Sequence, residues 1–333
     1  MPVASKKPIG ARIIISRTDS IGDVVLTLPL AGIIKEYFPE WHIIFLGRNY
    51  TREIVSLSEH VDEFVNWDDH EAVKQLKADI IVHVFPVKEI AQWAKKQGIS
   101  TRIGTTGRLY HWLYCNKLIR LSRKNSDLHE AQLNIKLLKP LGIETDYPLE
   151  KIPDYYGFTR IKPLAPKWLE MLKGDRKNII LHPKSKGSAR EWGLENFSRL
   201  IGLLPEIEYR IFISGTKEEG LQSAPLFKEH AHVIDLTGQM NLGEFASFIA
   251  EADALVAAST GPLHVAAALG KCAIGLYAPM RPIHPGRWAP LGRQAGYLVM
   301  NRECNDCKKT QDCRCIRDIT PGQVSEILSQ LRK

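Results

Sequence analysis

The sequence predicts an α/β protein of two domains, each built on a parallel sheet. Two observations predict it. Short β-branched or apolar runs alternate with longer periodic segments, and the alternation restarts after a Pro-containing interval near the middle of the chain. Length is a third, because 333 residues exceed what one ordinary core accommodates.

Residues 11–16 read as a β-branched strand, and Arg17-Thr18-Asp19-Ser20-Ile21-Gly22-Asp23 leads from it into an apolar-periodic helix over 24–37. Asp23 thus falls where a parallel strand gives way to a helix, the edge on which ligands of open α/β sheets bind. An acid at a helix start is the plainer reading of the same residue. The run has neither the G-x-G-x-x-G glycines nor a P-loop lysine, which disfavours dinucleotide-dependent oxidoreductases and nucleoside triphosphatases. Strands over 41–47, 63–67 and 80–84 alternate with helices over 50–57 and 87–96. Residues 102–124 break the pattern, since Arg102, Arg108, Lys117, Arg120, Arg123 and Lys124 interleave with Tyr110, His111, Trp112 and Tyr114. Such a stretch could grip an acidic glycolipid or the membrane face that carries it. It could equally be a helix with an aromatic core face and a solvated basic face. A helix follows from His129-Glu130 to about residue 141, and Ile152-Pro153 with 162–166 reads as an inter-domain linker.

The second half opens with a strand over 178–181, then His182-Pro183-Lys184-Ser185-Lys186-Gly187-Ser188-Ala189-Arg190-Glu191-Trp192, then a helix over 194–203. Small residues and cations in that loop suit a diphosphate, with backbone N–H donors from 185–188 and charge from Lys184, Lys186 or Arg190. A solvated basic loop is the plainer reading. After a strand over 210–213, Ser214-Gly215 precedes Glu218-Glu219 at a helix start. Either glutamate could accept hydrogen bonds from ribose hydroxyls or merely serve its own helix. The sharpest feature comes next: the strand 254–258 runs into Ser259-Thr260-Gly261-Pro262-Leu263-His264 and a small-residue helix to 269. Gly261 lets a ligand approach the backbone, while first-turn N–H groups and the positive end of the helix dipole favour an anion there. His264 stands in that first turn, and Leu276-Tyr277 leads into a Pro- and Arg-rich run.

Composition narrows the function classes. With 44% hydrophobic and 25% charged residues, the chain reads as soluble and globular. A formal charge of +8 suits an acidic partner, but the basic residues are dispersed and no nucleic-acid motif occurs, so no nucleic acid is expected. Without an 18-residue apolar run or a secretory signal, a cytoplasmic location is expected. Of six cysteines, Cys304, Cys307, Cys313 and Cys315 lie close together near the C terminus, unlike an extracellular disulfide framework. They could supply four thiolates to a structural Zn²⁺, form a disulfide or remain thiols. Cys115 and Cys272 read as buried small hydrophobes.

Taken together, the run from Arg17 to Asp23, the 182–192 loop and the run from Ser259 to His264 resemble glycosyltransferase family 9, the lipopolysaccharide heptosyltransferases. The likeness covers nearly the whole chain, with the three motifs in order. It implies a GT-B arrangement of two Rossmann-like domains facing each other across a cleft: an acceptor-binding domain over 1–160 and a nucleotide-sugar-binding domain over 161–320. A C-terminal helix within 321–333 is expected to pack back on the first domain. The implied activity is an inverting, metal-independent transfer of heptose from ADP-heptose to the lipopolysaccharide inner core. The implied partners are that nucleotide sugar, a glycolipid acceptor and the cytoplasmic surface of the inner membrane, to which the protein would be peripheral. Residue by residue, Asp23 matches the general base. Arg190 matches the phosphate-binding cation two residues before Trp192, with Arg where Lys is common. Glu219 matches the ribose-binding acid, and Thr260, Gly261 and His264 match the diphosphate turn, although Ser259 stands where many members have Asp or Asn. Lys184 and Ser185 complete the expected donor set; Arg17, Thr18, Asp19 and Arg108 form the expected acceptor set. No cofactor is required, and the lack of a D-x-D pair agrees with a metal-free departure of the diphosphate. The alternatives are a family member using another nucleotide sugar for a different surface glycan, and a non-catalytic nucleotide-sugar-binding protein, which would have no use for Asp23. A nicotinamide-dependent epimerase lacks its fingerprint.

Overall fold

Runs such as Ile13-Ile14-Ile15 and Ile43-Ile44-Phe45-Leu46 are apolar at consecutive positions because both faces of their sheet are covered, and all seven side chains are fully buried. The computed structural model describes residues 10–281, 283–300 and 312–331. The chain divides into two compact units, Met1–Arg160 and Ile161–Lys333.

In the first unit the order is β1 (Arg12–Ser16), α1 (Ile21–Val25), α2 (Pro29–Tyr37), β2 (His42–Gly47), α3 (Arg52–Val55), β3 (Glu63–Asn66) and α4 (His70–Gln75). It continues with β4 (Ile80–His83), α5 (Lys88–Lys96), β5 (Thr101–Thr105), α6 (Leu109–Tyr114), β6 (Lys117–Ile119) and α7 (Glu130–Ile135). All pairings are parallel, in the order β3-β2-β1-β4-β5-β6. The second unit runs α8 (Pro166–Leu172), β7 (Lys177–His182), α9 (Leu194–Leu203), β8 (Tyr209–Ile213), α10 (Lys217–Glu229), β9 (Ile234–Asp235) and α11 (Leu242–Glu251). Then come β10 (Ala254–Ala258), α12 (Gly261–Ala268), β11 (Cys272–Tyr277), α13 (Pro285–Trp288), β12 (Ala295–Val299), α14 (Arg314–Arg317) and α15 (Pro321–Ser329). Its parallel sheet is ordered β12-β11-β10-β7-β8-β9. Counted from its own first strand, this is the same 3-2-1-4-5-6 order as in the first unit. In such sheets the strand order reverses beside the first strand, and a crevice opens there at the carboxyl ends. Those switch points lie at the ends of β1 and β4 in one unit and of β7 and β10 in the other.

Three expectations require correction. The helix expected over 24–37 is two helices, because Pro29 has no N–H to continue the ladder and Thr27 Oγ1 donates back to the Asp23 carbonyl at 2.9 Å. The break leaves α1 a short platform carrying Asp23. The aromatic residues of 102–124 do not form a core face: His111 is buried, but Trp112 is 60% exposed. Finally, α15 packs on α9 within the second unit. Val324 and Leu328 are fully buried in the same core as Trp192, Phe197 and Leu200, which stabilises the helix there by about 1.5–3 kcal/mol per side chain. Two bonds fix the register: Trp192 Nε1 donates to the Ile319 carbonyl at 2.8 Å and Asn196 Nδ2 to the Arg317 carbonyl at 2.8 Å. The helix expected to pack on the first domain is thus part of the second unit's own core.

Candidate active site

In the first unit the site grows from the end of β1. Arg17 leaves the strand with its backbone N–H donating to the Leu46 carbonyl at 3.0 Å, and its side chain turns inward until only 3% is exposed. A guanidinium so buried needs acceptors on all its edges. It finds three carboxylates: Nε donates to Asp19 Oδ1 at 2.6 Å, Nη1 to Glu130 Oε1 at 3.2 Å, and Nη2 to Asp23 Oδ1. Burial by itself opposes the charge of Arg17, but Asp23, Asp19 and Glu130 outweigh it and hold the group above its ordinary range. The Ser20 hydroxyl donates to the other Asp23 oxygen. Asp23 is therefore fixed through both oxygens while its side chain stays 18% exposed, a carboxylate oriented at the switch point and open to a proton donor.

Asp19 has a different environment. Burial raises its carboxyl to about 6, with Arg17 opposing and Asp23 reinforcing the shift. Glu130, the first residue of α7, is 1% exposed and also accepts from Arg123 Nη1. Arg123 Nη2 in turn donates to the Val84 carbonyl at 3.1 Å and to Asn134 Oδ1 at 3.0 Å. Arg123 and Glu130 thus extend the cluster behind Arg17. Neither was expected at the site. Thr18 is half-buried beside this group, whereas Arg108 is exposed at the start of α6 on the β5 connection.

In the second unit the loop after β7 is more closed than expected. Lys186 and Gly187 take positive φ values of 48° and 79°, turning the chain so that Ser188 N donates to the Ser185 carbonyl at 2.9 Å. Glu191 then folds into the loop. Its carboxylate accepts from Ser185 N at 3.1 Å, from Ser185 Oγ at 3.2 Å and from Lys184 Nζ. Of the backbone donors expected to cradle a ligand's diphosphate, Ser185 N is thus taken by Glu191 and Ser188 N by the Ser185 carbonyl. Trp192, buried against Phe197 in an edge-on ring contact of 4.9 Å, anchors the loop's far end.

Glu219 occupies the third position of α10 and forms a reciprocal cap with Thr216: Thr216 N donates to Glu219 Oε2 at 2.8 Å, and Glu219 N to Thr216 Oγ1 at 3.3 Å. It is 6% exposed and lies near His182, whose Nδ1 is 3.0 Å from Ser214 Oγ. Burial lowers the His182 pKa against the opposing pull of Glu219 and so favours the neutral imidazole. At the end of β10, Thr260 is the N-terminal flanking residue of α12. Its Oγ1 is buried and has no hydrogen-bond partner among the described residues. Gly261 opens the helix, and His264, 3% exposed, stands one turn in. A helix start with an unused hydroxyl can hold an anion.

Cys313 and Cys315 are buried in the core that holds Trp192 and α15, while Cys304 and Cys307 lie outside the described residues. Among the described residues no group of three or more His, Cys, Asp and Glu side chains is arranged to hold a metal.

Comparison with known proteins adds the family. The family model described as glycosyltransferase family 9 (heptosyltransferase) matches residues 72–315. A Haemophilus influenzae protein whose name goes no further than glycosyltransferase is 27% identical, over 84% of this chain and 86% of its own. The lipopolysaccharide core heptosyltransferase OpsX of the same organism is 22% identical, over 100% of this chain and 99% of its own. Among solved structures, E. coli heptosyltransferase WaaC with ADP superposes with a TM-score of 0.71 at 19% identity, covering 96% of this chain and 99% of that one. That likeness shows the fold, the paired Rossmann-like units of the GT-B class. The chain belongs to glycosyltransferase family 9, the heptosyltransferase family, and is a glycosyltransferase.

Proposed function

We propose that the enzyme transfers heptose from ADP-heptose to the inner core of a lipopolysaccharide precursor, inverting the anomeric centre without a catalytic metal. The observation that carries this reading is Asp23, a carboxylate held through both oxygens at a switch point yet still partly exposed. In the step it would perform, an acceptor hydroxyl oxygen bonds to the anomeric carbon from the side opposite the diphosphate. The bond from that carbon to the diphosphate oxygen breaks, ADP takes the electron pair, and Asp23 accepts the hydroxyl proton. The second unit supplies the leaving-group side of this reading. Thr260 Oγ1 and the first amides of α12 offer donors, and Arg190 offers a bidentate cation. Glu219 retains the ribose role in the proposal through whichever acceptor capacity its helix cap leaves. OpsX is named as a lipopolysaccharide core heptosyltransferase and WaaC was solved with ADP, which supports the donor and acceptor classes.

A family member taking another nucleotide sugar has the same motifs and is the second reading. The test is a panel of nucleotide sugars with deacylated core acceptors, following nucleotide release and product mass in the presence of chelator. ADP release with a heptose mass increment is expected. Release from a different nucleotide sugar would replace the donor, and tight binding without transfer to any acceptor would remove the enzymatic assignment of Asp23. Because the acceptor is a glycolipid, the enzyme would work peripherally at the cytoplasmic face of the inner membrane. A structural Zn²⁺ on Cys304, Cys307, Cys313 and Cys315 is a separate part of the proposal, and metal analysis of purified protein tests it.

A further inference from the structure

Helix α6 exposes what a helix packed on a sheet normally buries. Leu109 is 88% exposed, Leu113 66% and Trp112 60%. At about 100° per residue these three fall within an arc of roughly 100°, with the buried His111 on the opposite side. They form one outward apolar face rather than scattered surface residues.

The face is held rigidly. On the inner side, His111 Nδ1 accepts from Thr105 N at 2.9 Å. At the helix end, Lys95 Nζ donates to the Leu113 carbonyl at 2.9 Å. Trp112 Nε1 donates to the Thr106 carbonyl at 3.1 Å, so the indole already has its partner and its ring can leave water without orphaning the N–H. Charge borders the face. Arg108 precedes the helix, Lys117 and Arg120 follow it, and all three are exposed. From α5, which packs on α6, Lys88 and Lys95 add two exposed cations, against Glu89 as the neighbouring acid. An apolar tip within a cationic rim is the arrangement of an interfacial anchor for acidic lipid.

We infer that α6 docks the enzyme on an anionic bilayer surface, with Leu109, Trp112 and Leu113 entering the boundary between headgroups and acyl chains and the flanking cations meeting lipid phosphates. The inference rests on the proposed glycolipid acceptor, which brings the enzyme to such a surface, and gives that contact a place in the fold. It also has geometric sense. The connection leading to α6 leaves the carboxyl end of β5, two strands from β1 or roughly 10 Å along the same sheet edge that carries Arg17 and Asp23. A protein docked through α6 holds that edge near the headgroup layer, where a lipid-borne sugar is presented.

The experiment is flotation of the full chain with phosphatidylcholine vesicles, with and without phosphatidylglycerol, beside the triple variant Leu109→Ser, Trp112→Ser, Leu113→Ser. These positions are exposed, so the variant should fold, and its thermal unfolding checks this. Wild type is expected to float with the anionic vesicles, to be released by salt, and to show quenching by brominated lipid that Trp112→Phe abolishes. The triple variant should bind at least about tenfold less. Its turnover of a deacylated acceptor should be unchanged and its turnover of a vesicle-borne acceptor lowered. Equal flotation of the two proteins would overturn the inference, as would equal binding of wild type to neutral vesicles. Self-association lost in the variant, without vesicle binding by wild type, would reassign the face to a second copy of the chain. If no nucleotide sugar is turned over but flotation behaves as expected, the substrate reading fails while the docking face stands.

Discussion

Replacing Asp23 by Asn separates chemistry from architecture. Asn has nearly the same size; its Oδ1 can still accept from Arg17, while its Nδ2 takes the place of the oxygen bonded by Ser20 and can donate to the Ser20 hydroxyl instead. It cannot take the acceptor proton. General-base catalysis contributes about 10²–10⁴ in rate, equivalent to about 2.7–5.4 kcal/mol of transition-state stabilisation, and turnover should fall by that factor. The folding cost should be smaller. Arg17 is 3% exposed but retains Asp19 and Glu130, so the loss is one charge-assisted hydrogen bond, about 1.5–3 kcal/mol, rather than an unpaired buried ion. All the proposed donor contacts lie in the second unit, so the ADP dissociation constant measured by calorimetry should stay within about twofold. The assay is ADP release at saturating donor and acceptor, with thermal unfolding recorded on the same preparation. A variant that folds and turns over within about threefold of wild type would refute the general-base assignment. Loss of ADP binding in parallel with turnover would refute the division of labour between the units.

Four other perturbations test separate parts of the site. Arg190→Ala should weaken ADP binding and lower turnover together, because its charge acts on both ground and transition states; unchanged values of both would remove it from the site. Glu191→Gln releases Lys184 and Ser185 N from an internal anion, so ADP should bind about threefold to tenfold more tightly, and weaker binding would mean that Glu191 shapes the loop instead of occupying it. Asp19 titrates at about 6 in the folded chain against 3.8 as the reference, so its ionisation works against folding as pH rises through that window; Asp19→Asn should gain stability relative to wild type from pH 4 to 6 and keep the gain above, and a melting-temperature difference that shrinks with rising pH would contradict this. Burial, with His111 and Arg102 adding, lowers His83 to about 3, so the stability tied to its neutral form is full above 6.5 and is lost as pH falls toward 3; His83→Leu should flatten the decline in melting temperature between pH 6.5 and 5.

What the sequence made legible follows from locality. The sequence bounds β10 and α9 as the structure does, since an apolar run and a 3.6-residue period are written in consecutive residues. The break between α1 and α2 is not legible from Pro29 alone, because a proline at a helix start and one inside a helix look alike without the Thr27 bond. Residues 102–124 were ambiguous for another reason. Aromatic side chains at helical spacing do not say which way they point, and here the buried position is His111 while Trp112 faces outward. The hidden half of the first site was out of reach altogether, since Glu130 stands 113 residues from the Arg17 it bonds and looks like an ordinary helix-start acid. Glu191 was within reach: a lone acid in a loop of cations will pair with one of them unless a ligand does.

The shared strand order makes the difference between the two edges informative. Each unit offers a switch point, so topology alone cannot say which holds the donor. Charge can. At the first unit's edge two arginines, Arg17 and Arg123, face three acids, Asp19, Asp23 and Glu130, and the group is negative overall when all are ionised. Under the proposed function this edge takes the neutral acceptor hydroxyl, whose proton Asp23 accepts, rather than the diphosphate. At the second unit's edge the loop after β7 carries Lys184, Lys186 and Arg190 beside Glu191, with Glu218 near Lys186 and Glu219 near His182, and the start of α12 adds its dipole and the Thr260 hydroxyl. In the same proposal those donors stabilise negative charge as it grows on a departing diphosphate. Under the proposed function, a fold used twice acquires opposite tasks, proton acceptance on one copy and anion stabilisation on the other, through the side chains that follow its first and fourth strands.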